Sequence, residues 1–292
     1  MKVVGYNIQY ALGKDGRVDL GRVAETVAGA DVIALQEVER NWPRSGMVDQ
    51  PAELAALLPE YYWVYGPPYD VDASSRADDG RVVNRRRQFG NMLLARWPIV
   101  STRLYPLPTP AAVSHVTMDM GALEGVIETE DGALRVYSVH LDSISNRNRM
   151  AQIARLREIV AWAPAGGGAW SGRAETWGDD WTDGAPPPMP RAAVMLGDFN
   201  LAPGSPEYEA IVGRADPLYG RVAHDDDLID VWVAAGHAED AGITWPGDGR
   251  FPAMRLDYCF VTAELAGRVR GAWIDDGAQG SDHQPMWAEI AL

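Results

Sequence analysis

The chain has 292 residues and a formal net charge of −15, and 47% of its residues are hydrophobic. This content is enough for a large core, but no apolar run approaches the ~20 residues that cross a membrane as a helix. A strongly acidic chain repels a polyanion, which disfavours an extended nucleic-acid-binding surface. Any phosphate chemistry therefore needs a metal cation or a local arginine cluster to offset the negative field.

One domain is expected over residues 1–292, because no linker, internal repeat or heptad run divides the chain. The N-terminus enters the apolar pair Val3-Val4 at once, which leaves no room for a signal peptide. The single Cys259 cannot form an internal disulfide and is expected in a buried strand. These features favour a cytoplasmic protein and leave its oligomeric state open.

The first part of the chain predicts a strand, a helix and a second strand. Residues 2–9 alternate in polarity and end in amides, and a helical pattern follows them. Residues 32–35 form a predicted buried strand that stops at Gln36-Glu37. A β-helix-β unit of this kind places Asn7 and Glu37 at the carboxyl ends of neighbouring strands, where open α/β sheets bind their ligands.

The directions of the later strands can be predicted by assuming that each helix or turn reverses the chain. With these directions, polar residues of the later strands lie at the same sheet edge as Asn7 and Glu37. The helices predicted by apolar spacing are one behind the N-cap Asp19, one behind Asp49 with Leu54, Leu57 and Leu58, and one with Met150, Ile153, Leu156 and Val160 on a single face. The predicted strands cover residues 61–65, 89–95, 99–105, 117–128, 134–141, 192–196, 256–261, 269–274 and 285–290. Strands that run toward the edge end at His140 and Asp198. Asn91 and Asp257 begin strands that leave it.

The polar residues at this edge comprise carboxylates, carboxamides and two imidazoles, without a thiolate. The oxygen donors are Asn7, Glu37, Asp198, Asn200 and Asp282. Such a set prefers Mg²⁺ or Mn²⁺ to zinc, and Mg²⁺ keeps waters for a substrate phosphate. Taken singly, each residue is as well explained by a turn or an N-cap, so the interpretation depends on the whole set. Asp257 is placed to orient one imidazole, that of His140 or His283, which favours acid-base chemistry.

Ordered blocks along almost the whole chain resemble the endonuclease/exonuclease/phosphatase superfamily, which includes deoxyribonuclease I, abasic-site endonucleases, inositol polyphosphate 5-phosphatases and neutral sphingomyelinases. The blocks are Asn7, Gln36-Glu37, Phe89-Gly90-Asn91, His140-Leu141, Gly197-Asp198-Phe199-Asn200, Arg255-Leu256-Asp257-Tyr258 and Ser281-Asp282-His283. The resemblance implies an α+β fold, a four-layer αββα sandwich of two mixed β-sheets flanked by helices. It does not distinguish among the branches of the superfamily.

The resemblance also implies a role for each matching residue. For the metal, Glu37 would be a ligand with Asn7 beside it, and Asp282 would complete the metal environment. For the proton transfers, Asp198 would position or deprotonate the attacking water, and His283 oriented by Asp257 would act as base or phosphate ligand. For the phosphate, Asn200 and Asn91 would hold it, and His140 would contact it or protonate the leaving oxygen. Many relatives have tyrosine where this chain has Phe89. A phenol that stabilises the transition state is therefore not expected here.

Two long connections complete the prediction. Residues 66–88 lie on the face of the expected site and carry Arg85 and Arg87, which are assigned to substrate phosphate; a solvated loop that balances nearby aspartates is the alternative. A long insert at about residues 165–191 lies at the opposite end, where a packing flap or partner surface is the favoured interpretation. Its tryptophans are Trp170, Trp177 and Trp181.

The function that these features predict is a Mg²⁺- or Mn²⁺-dependent hydrolase of phosphoester bonds, most specifically a phosphodiesterase that uses in-line attack by an activated water. The expected substrate is a small phosphoester or a phospholipid-type molecule, and the acidic charge disfavours nucleic acid. One alternative is a metal-dependent nuclease on DNA or RNA. A second alternative is a protein that binds a phosphate ligand without turnover.

Overall fold

The structure is a computed structural model that describes residues 1–172 and 184–292. The strands are β1 (Lys2–Asn7), β2 (Val32–Arg40), β3 (Tyr62–Asp72), β4 (Ser75–Arg76), β5 (Val82–Val83), β6 (Arg86–Ala95), β7 (Ile99–Pro106), β8 (Gly121–Thr129), β9 (Gly132–His140), β10 (Ala193–Asp198), β11 (Ala215–Asp216), β12 (Gly220–Arg221), β13 (Leu228–Asp230), β14 (Asp257–Thr262), β15 (Val269–Ile274) and β16 (Met286–Ile290). The α-helices are α1 (Leu20–Val27), α2 (Gln50–Leu57), α3 (Asn146–Gly166), α4 (Pro206–Val212) and α5 (Val231–Ala234), and short 3₁₀ turns cover Gln9–Ala11, Pro43–Ser45 and Ala263–Arg268.

Two large sheets of six strands each organise the described residues. The first has the order β15-β16-β1-β2-β6-β3 and the second the order β13-β14-β10-β9-β8-β7. In each sheet the central pair is parallel, β1 with β2 and β9 with β10, while their other neighbours are antiparallel. The sheets are therefore mixed, and the predicted four-layer αββα sandwich is confirmed.

Alternate residues of the central strands face different layers. Val3 of β1 packs between the two sheets with Leu196 of β10, whereas Val4 packs in the outer cluster that includes residues of α1 and α2. In the second sheet Met195 of β10 faces outward toward Ile153 of α3. This two-residue alternation is why each strand supplies one side to the inner core and the other to a helical layer.

The predicted helix starts are confirmed. The side chain of Asp19 accepts hydrogen bonds from two backbone N–H groups at the start of α1, and Asp49 caps α2 through the N–H of Ala52. The prediction that Met150 lies on the buried face of α3 is wrong, since its side chain is 38% exposed. Asn148 and Gln152 occupy the buried face of that turn, and Met150, two residues from Asn148, points to the opposite side.

Several predicted boundaries also differ from the structure. The strand expected over residues 61–65 extends to Asp72, and the one expected over residues 89–95 begins at Arg86. The strand expected from residue 117 begins at Gly121, and the strand expected to stop at residue 37 continues to Arg40 as β2. The connection between α3 and β10 runs over residues 167–192, close to the predicted insert. Its Trp177 and Trp181 lie outside the described residues. One domain with an insert stays a prediction. No helix among the described residues has the length and apolar character needed to span a membrane.

Candidate active site

The ends of three neighbouring strands in the second sheet place the central residues of the site. Asp198 at the end of β10 lies in register with His140 at the end of β9 on one side. On its other side it lies in register with Asp257 at the start of β14. The predicted strand directions therefore bring these three residues to one edge, because each strand meets the rim at its polar end.

Asn7 connects this edge to the first sheet. Its Nδ2 donates to Oδ2 of Asp198 at 2.9 Å and to Oε1 of Glu37 at 3.1 Å. Its Oδ1 accepts from the backbone N–H of Gln9. The amide of Asn7 therefore orients one carboxylate from each sheet, and the site lies across the gap between the sheets.

His283 is the imidazole that Asp257 orients. Its Nδ1 lies 2.8 Å from Oδ2 of Asp257, and its Nε2 lies 3.8 Å from Oδ2 of Asp198. Burial by itself lowers the pKa of His283, but the carboxylates of Asp257 and Asp198 more than offset this effect and raise the pKa to about 10. In this arrangement His283 carries a proton at neutral pH and presents a fixed positive charge beside Asp198.

His140 has the opposite protonation behaviour. Burial lowers its pKa, and the nearby carboxylate of Asp198, 3.6 Å from Nε2, only partly opposes that effect. Its ring lies beside Phe89, with 6.1 Å between the ring centroids. His140 is therefore a neutral hydrogen-bonding group at neutral pH, and the two histidines of the site have different charges.

Glu37 reaches the site through a bulge in β2. The register between β2 and β6 shifts between Leu35 and Val38, so that Gln36 and Glu37 face the single residue Asn91. Glu37 has a φ of 60°, a left-handed conformation that costs about 1 kcal/mol or more for a residue with a side chain. Gln36 turns inward and donates to Ser138 Oγ. The bulge thus separates a structural amide from a carboxylate that lines the cavity.

The carboxylate of Glu37 has few protein partners. Its side chain is 22% exposed, and burial raises its pKa to about 7 while the hydrogen bond from Asn7 opposes the rise. Among the described residues, Asn7 is its hydrogen-bond donor. A carboxylate in this environment ionises more readily beside a cation, which fits an all-oxygen metal site. Asp282 is half-buried next to His283 in the same region.

One group of three residues has ligand atoms close enough together to hold a metal ion. Asp198, Asp257 and His283 each present one ligand atom, and these atoms lie within 4.8 Å of one another. All three residues are buried. In the structure, however, Nδ1 of His283 is hydrogen-bonded to Asp257, so a metal ion at this point would compete with that hydrogen bond and with the proton.

Asn200 follows Asp198 in a tight turn. Its backbone N–H donates to Oδ1 of Asp198 at 2.9 Å, and its Nδ2 donates to the carbonyl of Leu141 at 3.0 Å. Gly197 lets β10 approach β9, because a Cβ at this position would lie 1.9 Å from the carbonyl oxygen of Val139. The glycine and the turn together fix Asp198 and Asn200 at the cavity.

Three residues predicted to bind substrate lie elsewhere. Asn91 is buried, and its Nδ2 donates to the carbonyls of Gly121 and Ser138, so it joins the two sheets. Arg85 and Arg87 do not line the cavity. Arg85 is exposed just before β6, and Arg87 donates to the carbonyl of Asn41 and lies over the ring of Trp42. Their predicted contact with substrate has no support in the observed geometry.

The cavity that Asp198 and His283 line has a volume of about 620 Å³. Its floor includes Glu37, His140, Asp198, Asn200 and His283. Side chains that the sequence did not point to form much of its wall, and these are Arg44, Met118, Met120, Ile144, Arg149, Trp245, Phe251 and Met254. Arg149 lies in the first turn of α3, Arg44 lies in the 3₁₀ turn Pro43–Ser45, and the others come from loops without a recognisable motif. For these loops, the sequence signal that could have found them is their content of methionine and aromatic residues.

The long connection after α3 lies at the other end of the helix. Residues next to its described ends, including Ala165 and Arg191, line a separate cavity of about 270 Å³. A helix of 21 residues spans roughly 30 Å. Arg149, in the first turn of α3, lines the same cavity as Asp198, so the described ends of the connection lie on the far side, as the strand directions predicted.

The chain belongs to the Endonuclease/Exonuclease/phosphatase family, whose model matches residues 4–283. This match, together with the cluster of carboxylates and histidines at the edge of the sandwich, identifies a phosphoesterase- or nuclease-like hydrolase. The resemblance in the short sequence blocks is thereby confirmed. A sequence comparison with curated proteins gives no match.

Solved structures show the same fold. An endonuclease/exonuclease/phosphatase from Beutenbergia cavernae DSM 12333 is 21% identical, with a TM-score of 0.64, and the match covers 100% of this chain and 71% of that one. The mannosyl-6-phosphatase Bt3783 from Bacteroides thetaiotaomicron is 18% identical, with a TM-score of 0.61 and full coverage of both chains. D. rerio TDP2 in complex with a single-stranded DNA product is 17% identical, with a TM-score of 0.62 and coverage of 100% and 99%.

Proposed function

We propose that the protein is a Mg²⁺-dependent phosphodiesterase that hydrolyses its substrate by in-line attack of an activated water. The observation that carries this proposal is the buried series Asp257, His283 and Asp198. His283 and Asp198 line, together with Glu37, a cavity large enough for a small organic phosphoester. Acid-base groups, a positive charge and an oxygen-rich cation site are the components that phosphoryl transfer needs.

Glu37 and Asp282 would hold the cation, with Asn7 beside them. Mg²⁺ or Mn²⁺ fits a site of carboxylate and carboxamide oxygens better than zinc does. The bound cation would neutralise charge on the phosphate oxygens and polarise the phosphorus centre. Asn7 contributes mainly by orienting Glu37, because its Nδ2 already donates to that carboxylate and its Oδ1 already accepts from Gln9.

Asp198 is the residue best suited to activate water. Burial raises its pKa, with His283 opposing the rise, so its carboxylate is a stronger base than an exposed aspartate. His283 is protonated in the observed arrangement and is suited to bind a phosphate oxygen through Nε2. Asp257 holds the ring in position through Nδ1. This division of roles assigns the proton transfer from water to Asp198 and charge stabilisation to His283.

His140 and Asn200 complete the proposed mechanism. His140 is neutral at neutral pH and can donate a hydrogen bond to the leaving oxygen from a ring N–H. Asn200 lines the cavity next to Asp198 and is suited to hold a phosphate oxygen with the amide hydrogen that Leu141 does not accept. Phe89 packs beside His140, with 6.1 Å between the ring centroids.

The cavity wall supports a small phosphoester with an apolar organic group, including one of phospholipid type. Met118, Met120, Trp245, Phe251 and Met254 line it, and thioether and aromatic side chains adapt to apolar groups. A net charge of −15 opposes tight binding of a nucleic-acid polyanion. These features favour a small diester over a duplex.

A substrate panel tests this proposal. Bis-p-nitrophenyl phosphate, p-nitrophenyl phosphate, sphingomyelin, plasmid DNA and single-stranded RNA are each incubated with Mg²⁺, Mn²⁺ or EDTA. Hydrolysis of the small diester with Mg²⁺ or Mn²⁺, lost in EDTA and absent from an Asp198→Asn variant, is the expected result. Cleavage of nucleic acid with little turnover of the diester would indicate a nuclease. No turnover of any substrate would indicate a protein that binds phosphate ligands without catalysis.

A further inference from the structure

Arg44 lies on the cavity wall without having been indicated by any motif. It belongs to the 3₁₀ turn Pro43–Ser45 that follows β2, and it lines the same cavity as Glu37 and His283. Its side chain is 43% exposed. Arg44 therefore places a positive charge within the cavity that holds the catalytic groups.

Two aromatic rings and a carboxylate fix the guanidinium of Arg44. Its Cζ lies 4.2 Å from the ring centroid of Tyr10 and 4.6 Å from the ring of Trp42. Nε donates to Oε1 of Glu39 at 2.7 Å, and Nη2 donates to the same carboxylate. Trp42 is itself held by a hydrogen bond from its indole N–H to the carbonyl of Gln88. An arginine held this firmly loses little conformational freedom when it binds a ligand.

The backbone beneath Arg44 is held in an uncommon conformation. Gln9, Tyr10 and Ala11 have φ values of 44°, 46° and 65°, a left-handed run that side chains disfavour. The carbonyl of Tyr10 accepts a hydrogen bond from Nε2 of Gln50 at 2.8 Å. This strained segment places the ring of Tyr10 against Arg44, and strain of this kind concentrates at functional sites.

One nitrogen of the Arg44 guanidinium, Nη1, can donate a hydrogen bond to a ligand. Among the described residues, no protein atom accepts a hydrogen bond from Nη1 of Arg44. Arg149 also lines the cavity, but its Nε and Nη2 donate to Glu207 and its Nη1 donates to the carbonyl of Asp142. Arg44 is thus preorganised with a donor to spare, whereas the hydrogen-bonding nitrogens of Arg149 are each engaged.

We propose that Arg44 is a substrate-binding residue that recognises a second anionic group, a carboxylate or a phosphate, carried by the substrate beyond the reacting phosphate. The inference deepens the proposed function and rests on it for the identity of the reacting group. Glu39 balances the charge of Arg44, so the effect arises from a direct hydrogen bond in the cavity and not from long-range attraction. This residue takes the role that the sequence assigned to Arg85 and Arg87.

Binding of two small phosphonates, measured by calorimetry with Mg²⁺ present, tests the inference without turnover. Propylphosphonate and 3-phosphonopropionate have the same phosphonate and a similar chain, but the second carries an additional carboxylate. The wild-type protein is expected to prefer 3-phosphonopropionate. Arg44→Gln should weaken that ligand by about 10- to 100-fold, the size of a hydrogen bond between charged groups, and should change propylphosphonate binding by less than about 2-fold.

Two further variants exclude trivial explanations. Arg85→Gln removes the same charge from an exposed position outside the cavity and should leave both affinities unchanged. Removing Arg44 alone leaves the buried Glu39 without its charged partner, although the hydroxyl of Ser45 still donates to it. The double variant Glu39→Gln/Arg44→Gln is therefore made as well, because it keeps the net charge of the wild type and removes the unpaired carboxylate. This double variant should also lose the preference for the carboxylate ligand.

The outcomes separate the inference from the proposed function. An unchanged preference in both folded Arg44 variants would overturn the role of Arg44. A preference that depends on Arg44 in a protein that hydrolyses no phosphoester would support the role of Arg44 and overturn the proposed phosphodiesterase activity. The same preference in a protein that hydrolyses bis-p-nitrophenyl phosphate would support both.

Discussion

Asn7 of the first sheet donates to Asp198 of the second sheet at 2.9 Å, and the same amide donates to Glu37. The relative positions of Asp198 and Glu37, the carboxylates proposed to activate water and to bind the cation, therefore depend on one side chain that spans two sheets. A single hydrogen-bonding amide thus couples the packing of the sandwich to the geometry of the site.

Replacing Asn7 by alanine should reduce kcat more than it reduces stability. The variant leaves Asp198 and Glu37 without a shared donor, so we expect kcat for a small diester to fall by about 10- to 100-fold, with a loss of about 1–3 kcal/mol in the free energy of unfolding. Steady-state kinetics and urea unfolding measure the two effects. Normal kcat in Asn7→Ala would show that the amide does not orient the carboxylates.

The pH dependence of activity should report the charge of His283. Catalysis in the proposed mechanism needs His283 protonated, and the pKa of His283 is raised to about 10, so kcat/KM should fall as the pH rises through about 10. His283→Gln should lower kcat by at least ~10² and remove this alkaline limb. An alkaline limb that persists in His283→Gln would assign it to another group.

Glu37 should make the protein less stable at higher pH when EDTA is present. Its folded-state pKa of about 7 lies above its ordinary value of 4.5, so protonation favours the folded state. This contribution is complete below about pH 4.5 and is lost as the pH rises through about 7. Glu37→Gln should therefore be more stable than the wild type by about 1–3 kcal/mol at pH 8 and similar to it at pH 4.5.

Thermal unfolding in EDTA at the two pH values checks this expectation, and added Mg²⁺ supplies the matched condition. Mg²⁺ should stabilise the wild type at pH 8 and have little effect on Glu37→Gln, because the variant lacks the anionic ligand. Equal stabilisation of both proteins by Mg²⁺ would place the cation away from Glu37.

Replacing Asn91 by alanine distinguishes a structural role of this residue from a substrate-binding role. Its amide donates to carbonyls of Gly121 and Ser138, so Asn91→Ala should lower the free energy of unfolding by about 1–3 kcal/mol. KM for a small diester should remain within about 2-fold of the wild type, because Asn91 does not line the cavity. A large rise in KM without loss of stability would restore the phosphate contact that the sequence predicted.

The sequence by itself was sufficient for the architecture and for the strand-end residues of the site. Buried strands have a local signature of alternating or continuous apolar residues, and a polar residue at the end of such a strand must meet the rim of the sheet. For this reason His140, Asp198 and Asp257 were correctly brought together by counting strand directions. The β-helix-β unit placed Glu37 at the same edge, and His283 was one of the two imidazoles expected there; both line the cavity. The family resemblance added the arrangement of the strands in two sheets.

Only the tertiary structure decided which side chains complete the cavity and which serve the fold. Arg44 meets Tyr10, more than thirty residues earlier in the chain, and Asn91 meets Ser138, more than forty residues later. The bulge at Glu37 likewise depends on pairing with β6. Such contacts are set by the packing of distant segments and leave no periodic pattern in the sequence. Local periodicity therefore determined the strands and their polar ends, while long-range packing determined which side chains surround the cavity.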